Sequence, residues 1–300
     1  MSFREPKPLV VGSRIAVVAP AGPFKREWLF EGLAWLRTRY ELRIDPSIFE
    51  REGYLAGSDE RRAQELARAM VDPEIDAILC ARGGYGAMRI LDRLPWEAFA
   101  KEPKWLIGFS DVTALHLAAN KMGVRSLHAP NGTGTRAMTP RERFALVELL
   151  EGRESPWAWQ DLDVITKGEA KGPVVGGNLA LVCAMAAAGG LEIPQGAIVV
   201  LEDVTERPYR VDRMLTSLLL GGHLAQAGAI VFGGFTECEP AADGVTVDEV
   251  LRDRTSSLGV PVVMGAPFGH GPYNEAFVLG RGATVRAEEK GTVTTALHTM

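Results

Sequence analysis

Short apolar runs rich in β-branched residues recur along the chain, each followed by a polar or Gly/Pro turn and then by apolar residues at helical spacing. Ile15-Ala-Val-Val-Ala-Pro20 reads as a buried first strand that runs into the loop Pro20-Ala-Gly-Pro23. Leu29, Leu33 and Leu36 recur as one face of a helix over 27–40, and Glu41-Leu-Arg-Ile-Asp45 reads as a second strand. Ser58 followed by Asp59 and Glu60 is an N-cap with an acidic first turn, which predicts a helix to about Val71. Ala77-Ile-Leu-Cys-Ala81 predicts a third strand, ending at Arg82-Gly-Gly-Tyr-Gly86, with a helix from Ala87 to Leu94. Trp105-Leu-Ile-Gly108 predicts a fourth strand with a helix from Asp111 to Met122 behind it. Four strand–helix alternations in about 130 residues imply a parallel sheet covered on both faces, with chemistry at the carboxyl ends of its strands.

The pattern changes after Arg136. Residues 136–171 carry one helical stretch, Arg143 to Leu150, and the polar segment Glu154-Ser-Pro-Trp-Ala-Trp-Gln-Asp161, and read as a connection between a domain over 1–135 and another over 172–300. In the second domain Gly172-Pro-Val-Val-Gly-Gly-Asn-Leu179 reads as a turn into a helix that ends near Ala188. Ala197–Leu201, Ala229–Gly233 and Pro261–Gly265 read as strands, with helices over Arg210–Leu220 and Val247–Arg254, the latter capped by Thr246. The end alternates as hairpin strands over 275–280, 283–288 and 291–297. The expected architecture is two α/β units, the second ending in antiparallel strands.

Composition removes several classes of function. The 300 residues are 46% apolar, enough for a large core, and a net charge of −5 without a basic stripe gives no reason to expect nucleic acid. No window approaches the roughly 18 apolar residues of a membrane span, and the first residues lack the features of a secretory signal, so a cytoplasmic protein is expected. Cys80, Cys183 and Cys238 lie far apart and form neither a disulfide framework nor a metal-ligand pattern; no metal or cofactor is expected.

Candidate chemistry gathers at strand ends. Ser110 follows one strand directly and precedes a helix, as a nucleophile on an elbow does, although Val112 stands where the usual motif has its second glycine. Ser110-Asp111 equally fits a plain helix cap. The Gly83-Gly84 turn is expected beside it, and a glycine N–H with that of Asp111 would form an oxyanion hole; a simple tight turn is the alternative. Of five histidines, His116 lies within a helix, His223 suits a helix carboxyl end and His298 is near the terminus. His270, in the shaped loop Pro267-Phe-Gly-His-Gly-Pro-Tyr-Asn274, leads His128 as the base. Glu202 and Asp203, at the end of one apolar strand, are the candidates for an acid that orients it.

Taken together, Ala81-Arg-Gly-Gly-Tyr-Gly86, Ile107-Gly-Phe-Ser-Asp111, Gly176-Gly-Asn-Leu179, Leu201-Glu-Asp-Val204, Pro208-Tyr-Arg-Val-Asp-Arg-Met-Leu215 and Phe268-Gly-His270 resemble, in order and over nearly the whole chain, the L,D-carboxypeptidase family of serine peptidases. The microcin-immunity peptidases resemble it more distantly. The resemblance implies a flavodoxin-like amino-terminal domain bearing Ser110 and a carboxyl-terminal domain bearing Glu202 and His270 as the rest of a Ser-Glu-His triad. It also implies oxyanion donors at Asp111 and at a glycine of the 83–84 pair, preferably Gly84. The implied activity is removal of terminal D-alanine from muropeptide tetrapeptides in cytoplasmic peptidoglycan recycling; it allows a homodimer. Alternatives are an immunity-type hydrolase of acylated nucleotide analogues and a non-catalytic binder of anionic ligands. A substrate carboxylate also needs a partner, and Arg82, Arg210 and Arg213 are candidates, none of them singled out by the residues.

Overall fold

The computed structural model describes residues 3–153 and 158–295. His298, residues 154–157 of the expected connection and the end of the strand expected over 291–297 lie outside that set. The chain forms two compact units, Ser2–Glu154 with Glu275–Val278, and Ser155–Asn274 with Leu279–Met300.

In the first unit strands and helices alternate: β1 (Arg14–Val18), α1 (Arg26–Leu33), β2 (Glu41–Ile44), α2 (Asp59–Val71), β3 (Ala77–Cys80), α3 (Trp96–Lys101), β4 (Trp105–Gly108), α4 (Thr113–Lys121), β5 (Ser126–His128) and α5 (Pro140–Leu150). Ser58 caps α2 by accepting the Arg61 N–H at 3.2 Å, as its sequence predicts. The strands β1 to β5 pair in parallel in the order β2-β1-β3-β4-β5, the flavodoxin-like order. Ile15, Val17, Leu79 and Ile107 bury one sheet face with Leu29, Leu33, Leu146 and Leu149, while Val18, Ile78 and Leu106 are buried on the other. A sheet covered on both faces leaves only its edges for chemistry, and the chain reverses its strand order between β1 and β3.

The helix expected from Ala87 to Leu94 is instead a 3₁₀ segment, Ala87–Arg93. It is pinned between Gly86, at φ 131°, and Pro95, which leaves too few residues for a stable α-helix.

The second unit holds β6 (Ala158–Thr166), β7 (Gly168–Asn178), α6 (Leu179–Ala187), β8 (Ala197–Val204), α7 (Pro208–Leu220), β9 (Ala227–Thr236), α8 (Val247–Thr255) and β10 (Val262–Met264). Thr246 caps α8 in a full capping box with Glu249. A short strand β11 (Phe277–Leu279) joins the edge of the first unit's sheet beside β5, not a hairpin, and β12 (Gly282–Ala287) and β13 (Gly291–Thr295) follow. Seven strands close into a barrel in the order β10-β6-β13-β12-β7-β8-β9. From β7 through β8 and β9 to β10 the pairing is parallel; the rest is antiparallel.

Residues 172–178, expected as a turn, belong to strand β7. Their glycines signal close approach: a Cβ on Gly176 would lie 2.1 Å from the Val200 carbonyl oxygen of β8.

Candidate active site

Ser110 sits where β4 hands over to a 3₁₀ turn, Ser110–Val112, that leads into α4. Its backbone is left-handed, at φ 67°, a conformation that costs a residue with a Cβ on the order of 1–3 kcal/mol. The N-cap of α4 is Val112, two residues beyond Ser110. A serine used only as a cap would sit in extended backbone and bond the helix N–H groups.

The surroundings over-determine this geometry. Asn131 accepts the Phe109 N–H at 3.2 Å and donates to the Phe109 carbonyl at 3.3 Å. The ring of His116, buried in α4, donates from Nε2 to the Gly108 carbonyl at 2.9 Å. Burial pushes that imidazole down to about 4, so it stays neutral and serves as a fixed donor. His128 is also a core residue, stacked on Phe277 with centroids 4.6 Å apart.

Beside the elbow lies the turn after β3. A Cβ on Gly83 would sit 2.8 Å from the Ser110 Cβ and 2.9 Å from its Oγ, so the turn reaches the serine only as glycine. The Gly83 carbonyl accepts the Gly22 N–H at 3.0 Å. Opposite ends of a trans peptide point opposite ways, so the Gly84 N–H of the same peptide is directed away from Gly22. The Asp111 nitrogen would lie 3.3 Å from the same Gly83 Cβ position. The Asp111 side chain turns inward instead, accepting the Ala87 N–H at 2.8 Å, and burial pushes its carboxyl up to about 6.

The second unit contributes a separate pair. Glu202, fully buried near the end of β8, accepts from His270 Nδ1 through Oε2 at 2.7 Å. The His270 loop comes this near because Gly269, at φ 114°, has no Cβ: one would lie 2.7 Å from that same Oε2. Asn274 Oδ1 accepts the Gly269 N–H at 3.1 Å, and Phe268 stacks on Trp159, so the loop is held at both ends. Asp203 is occupied elsewhere. It accepts from Asn178 Nδ2 at 2.9 Å, the Ala180 N–H at 3.0 Å and the Val204 N–H at 2.8 Å, tying β8 to the start of α6.

The structure thus groups Ser110, Gly83, Gly84 and Asp111 in the first unit, and Glu202 with His270 in the second. His223 lies past the end of α7, its N–H on the Leu218 carbonyl. Of the arginines, Arg210 pairs with Glu206 and Arg213 lies over the Tyr209 ring. Arg82 donates to the Pro23 carbonyl at 2.5 Å and lines an open pocket of about 480 Å³ with Gly22, Tyr54, Gly84 and Tyr85. Burial pushes all three thiols up, that of Cys183 to about 12, so none competes as a nucleophile at neutral pH. Asn131 and His116 carry no local sequence signal for their roles, because both act on backbone groups brought near only by the fold. No described helix is long and apolar enough to cross a membrane.

A left-handed serine at the carboxyl end of a parallel strand and a buried carboxylate bonded to an imidazole are the kinds of group that serine hydrolases use. Residues 15–129 match the LD-carboxypeptidase N-terminal domain and residues 171–285 the LD-carboxypeptidase C-terminal domain. A putative carboxypeptidase of Synechocystis sp. is 40% identical over 93% of both chains. The murein tetrapeptide carboxypeptidase of Pseudomonas aeruginosa is 34% identical over 92% of this chain and 94% of its own. The chain belongs to the LD-carboxypeptidase family. Among solved structures, muramoyltetrapeptide carboxypeptidase from Oxalobacter formigenes superposes with a TM-score of 0.85 at 28% identity, over 96% of this chain and all of that one. The microcin C7 self-immunity protein MccF, at 21% identity and a TM-score of 0.87 over 98% of this chain and 99% of its own, shares the fold.

Proposed function

We propose that this chain is a serine L,D-carboxypeptidase that removes terminal D-alanine from muropeptide tetrapeptides in cytoplasmic recycling, with Ser110 as nucleophile. His270 takes the hydroxyl proton through Nε2 as Ser110 attacks the carbonyl before the D-residue, and returns it to the leaving amine. Water then cleaves the acyl-enzyme by the same route in reverse. Glu202 holds the imidazole by Nδ1 and stabilises its cation. The N–H groups of Asp111 and Gly84 donate to the developing oxyanion.

The observation that carries this reading is the left-handed backbone of Ser110 against Gly83. A strained serine is maintained where strain aids chemistry, and a cap would not need it. The 2.7 Å bond between Glu202 and His270 supports the base, and the closeness of the Gly83 position to Ser110 and to the Asp111 nitrogen supports this turn as the source of the second donor. The names of the murein relatives support the substrate class.

The test is release of D-alanine from a defined L,D-tetrapeptide, with an aminoacyl-sulfamoyl adenylate as comparison substrate. Ser110→Ala is expected to fold normally and to lose roughly 10⁴-fold or more of kcat. Undiminished turnover by that variant overturns the assignment, and preference for the adenylate overturns the substrate.

A further inference from the structure

The turn that carries Gly83 and Gly84 is anchored two residues beyond Gly84, at the peptide between Gly86 and Ala87. Both polar ends of that peptide are gripped by buried charges. Its carbonyl accepts from Arg62 Nη1 at 2.8 Å, and its N–H donates to Asp111 Oδ2 at 2.8 Å. Arg62 is fully buried and Asp111 only 2% exposed. The same Arg62 nitrogen also donates to the Pro20 carbonyl in the loop after β1, and Nη2 meets Asp59 at the start of α2. The guanidinium fits this tightly because residue 86 is glycine: a Cβ there would lie 2.8 Å from Nη1 and 2.7 Å from Leu55.

We propose that Arg62 and Asp111 are positioning residues that clamp the Gly86–Ala87 peptide from opposite ends and thereby set the Gly83–Gly84 turn against Ser110. Buried ions are expensive to keep, and a hydrophobic pair would fill such a core at least as stably. What the charges supply is direction. A fixed carboxylate one residue after the nucleophile reaches the oxyanion turn, and a fixed guanidinium ties that turn to the loops after β1 and before α2. Displacement of an oxyanion donor by a fraction of an ångström weakens a bond made only in the transition state, so the loss falls on kcat rather than KM.

This inference rests on the proposed reading of Ser110 and its oxyanion donors. The experiment measures kcat and KM for D-alanine release, with thermal unfolding, in the full chain carrying Asp111→Ala, Asp111→Asn, Arg62→Lys, or Arg62→Lys with Asp111→Asn. Asp111→Ala is expected to lose roughly 10²-fold in kcat, the size of one oxyanion donor, with KM within about threefold. Asp111→Asn keeps the shape and one acceptor, and is expected to recover at least about tenfold of that loss. The double variant is expected to lose less than the product of the single losses, since both grip one peptide. Should Asp111→Ala not fold, Asp111→Asn and Arg62→Lys carry the test, each with a kcat deficit at unchanged KM. Variants that lower the unfolding temperature while keeping kcat within about threefold overturn the clamp. Activity retained by Ser110→Ala instead overturns the functional reading, so the two failures are distinct.

Discussion

Glu202 and Asp203 are adjacent carboxylates of one strand, and strand geometry sends neighbours to opposite sides. One meets His270; the other meets two donors at the start of α6 and the N–H of Val204 in its own strand. Their substitutions should therefore separate. Glu202→Gln is expected to cost roughly 10³–10⁴ in kcat with little change in stability, because the imidazole loses the acceptor that fixes its tautomer. Asp203→Asn turns a donor toward donors and is expected to cost about 1–3 kcal/mol of stability with kcat within about tenfold. Tetrapeptide turnover and thermal unfolding on the two variants check the contrast; equal losses of activity would erase it. Both acids are visible in the sequence as the end of an apolar strand. Which one faces the histidine depends on Gly269 and Asn178, residues 67 and 25 positions removed, so local pattern alone leaves the pair open. Arg62 was less legible still. Ser-Asp-Glu-Arg-Arg marks the start of a helix without saying which of its arginines is buried, and Arg62 is buried where it meets the Pro20 and Gly86 carbonyls.

At the scale of elements, periodicity found the sheet of the first unit because β1, β3 and β4 are apolar runs buried almost from end to end. It failed on β7, where Gly172, Gly176 and Gly177 carry turn composition into a strand that must pass close to β8. It also failed on β11, since three residues cannot announce which sheet they will join. Element junctions outside the candidate site make a further prediction. Glu151, just past α5, accepts from Arg39, Arg153 and the Tyr40 hydroxyl at 2.8 Å, fastening the end of that helix to the approach to β2. The bond to Arg39, helped by Tyr40 and Arg153, holds its carboxyl down to about 2 from an ordinary 4.5. A lowered pKa in the folded state means stability present above 4.5 and lost as pH falls toward 2. Glu151→Gln should therefore unfold at lower temperature than the parent at pH 7, with the gap narrowing steadily across that acid range. A gap that does not change with pH would show that Glu151 contributes packing rather than charge.

At the scale of the whole molecule, the alternation of strands and helices announces a parallel α/β unit, but nothing local announces a closed barrel. Closure depends on β6 pairing with β10 and β13, strands far along the chain (Val262 opposite Thr166, Gly291 opposite Leu162), and such register is a property of the assembled sheet. Division into two units also shapes the chemistry proposed here, since Ser110 belongs to one and Glu202 with His270 to the other. Parts that act in one proton transfer cannot contribute independently: without the serine there is no hydroxyl for the imidazole to deprotonate. Ser110→Ala and His270→Ala are each expected to reduce kcat by roughly 10⁴-fold or more, and the double variant by about the same amount as either alone. Independent residues would instead multiply, giving a double variant slower by the product of the two losses. Measuring residual D-alanine release from the three proteins decides between these outcomes. Multiplying losses would mean that His270 serves a step that does not involve Ser110, and the triad would have to be reassigned even with both residues essential.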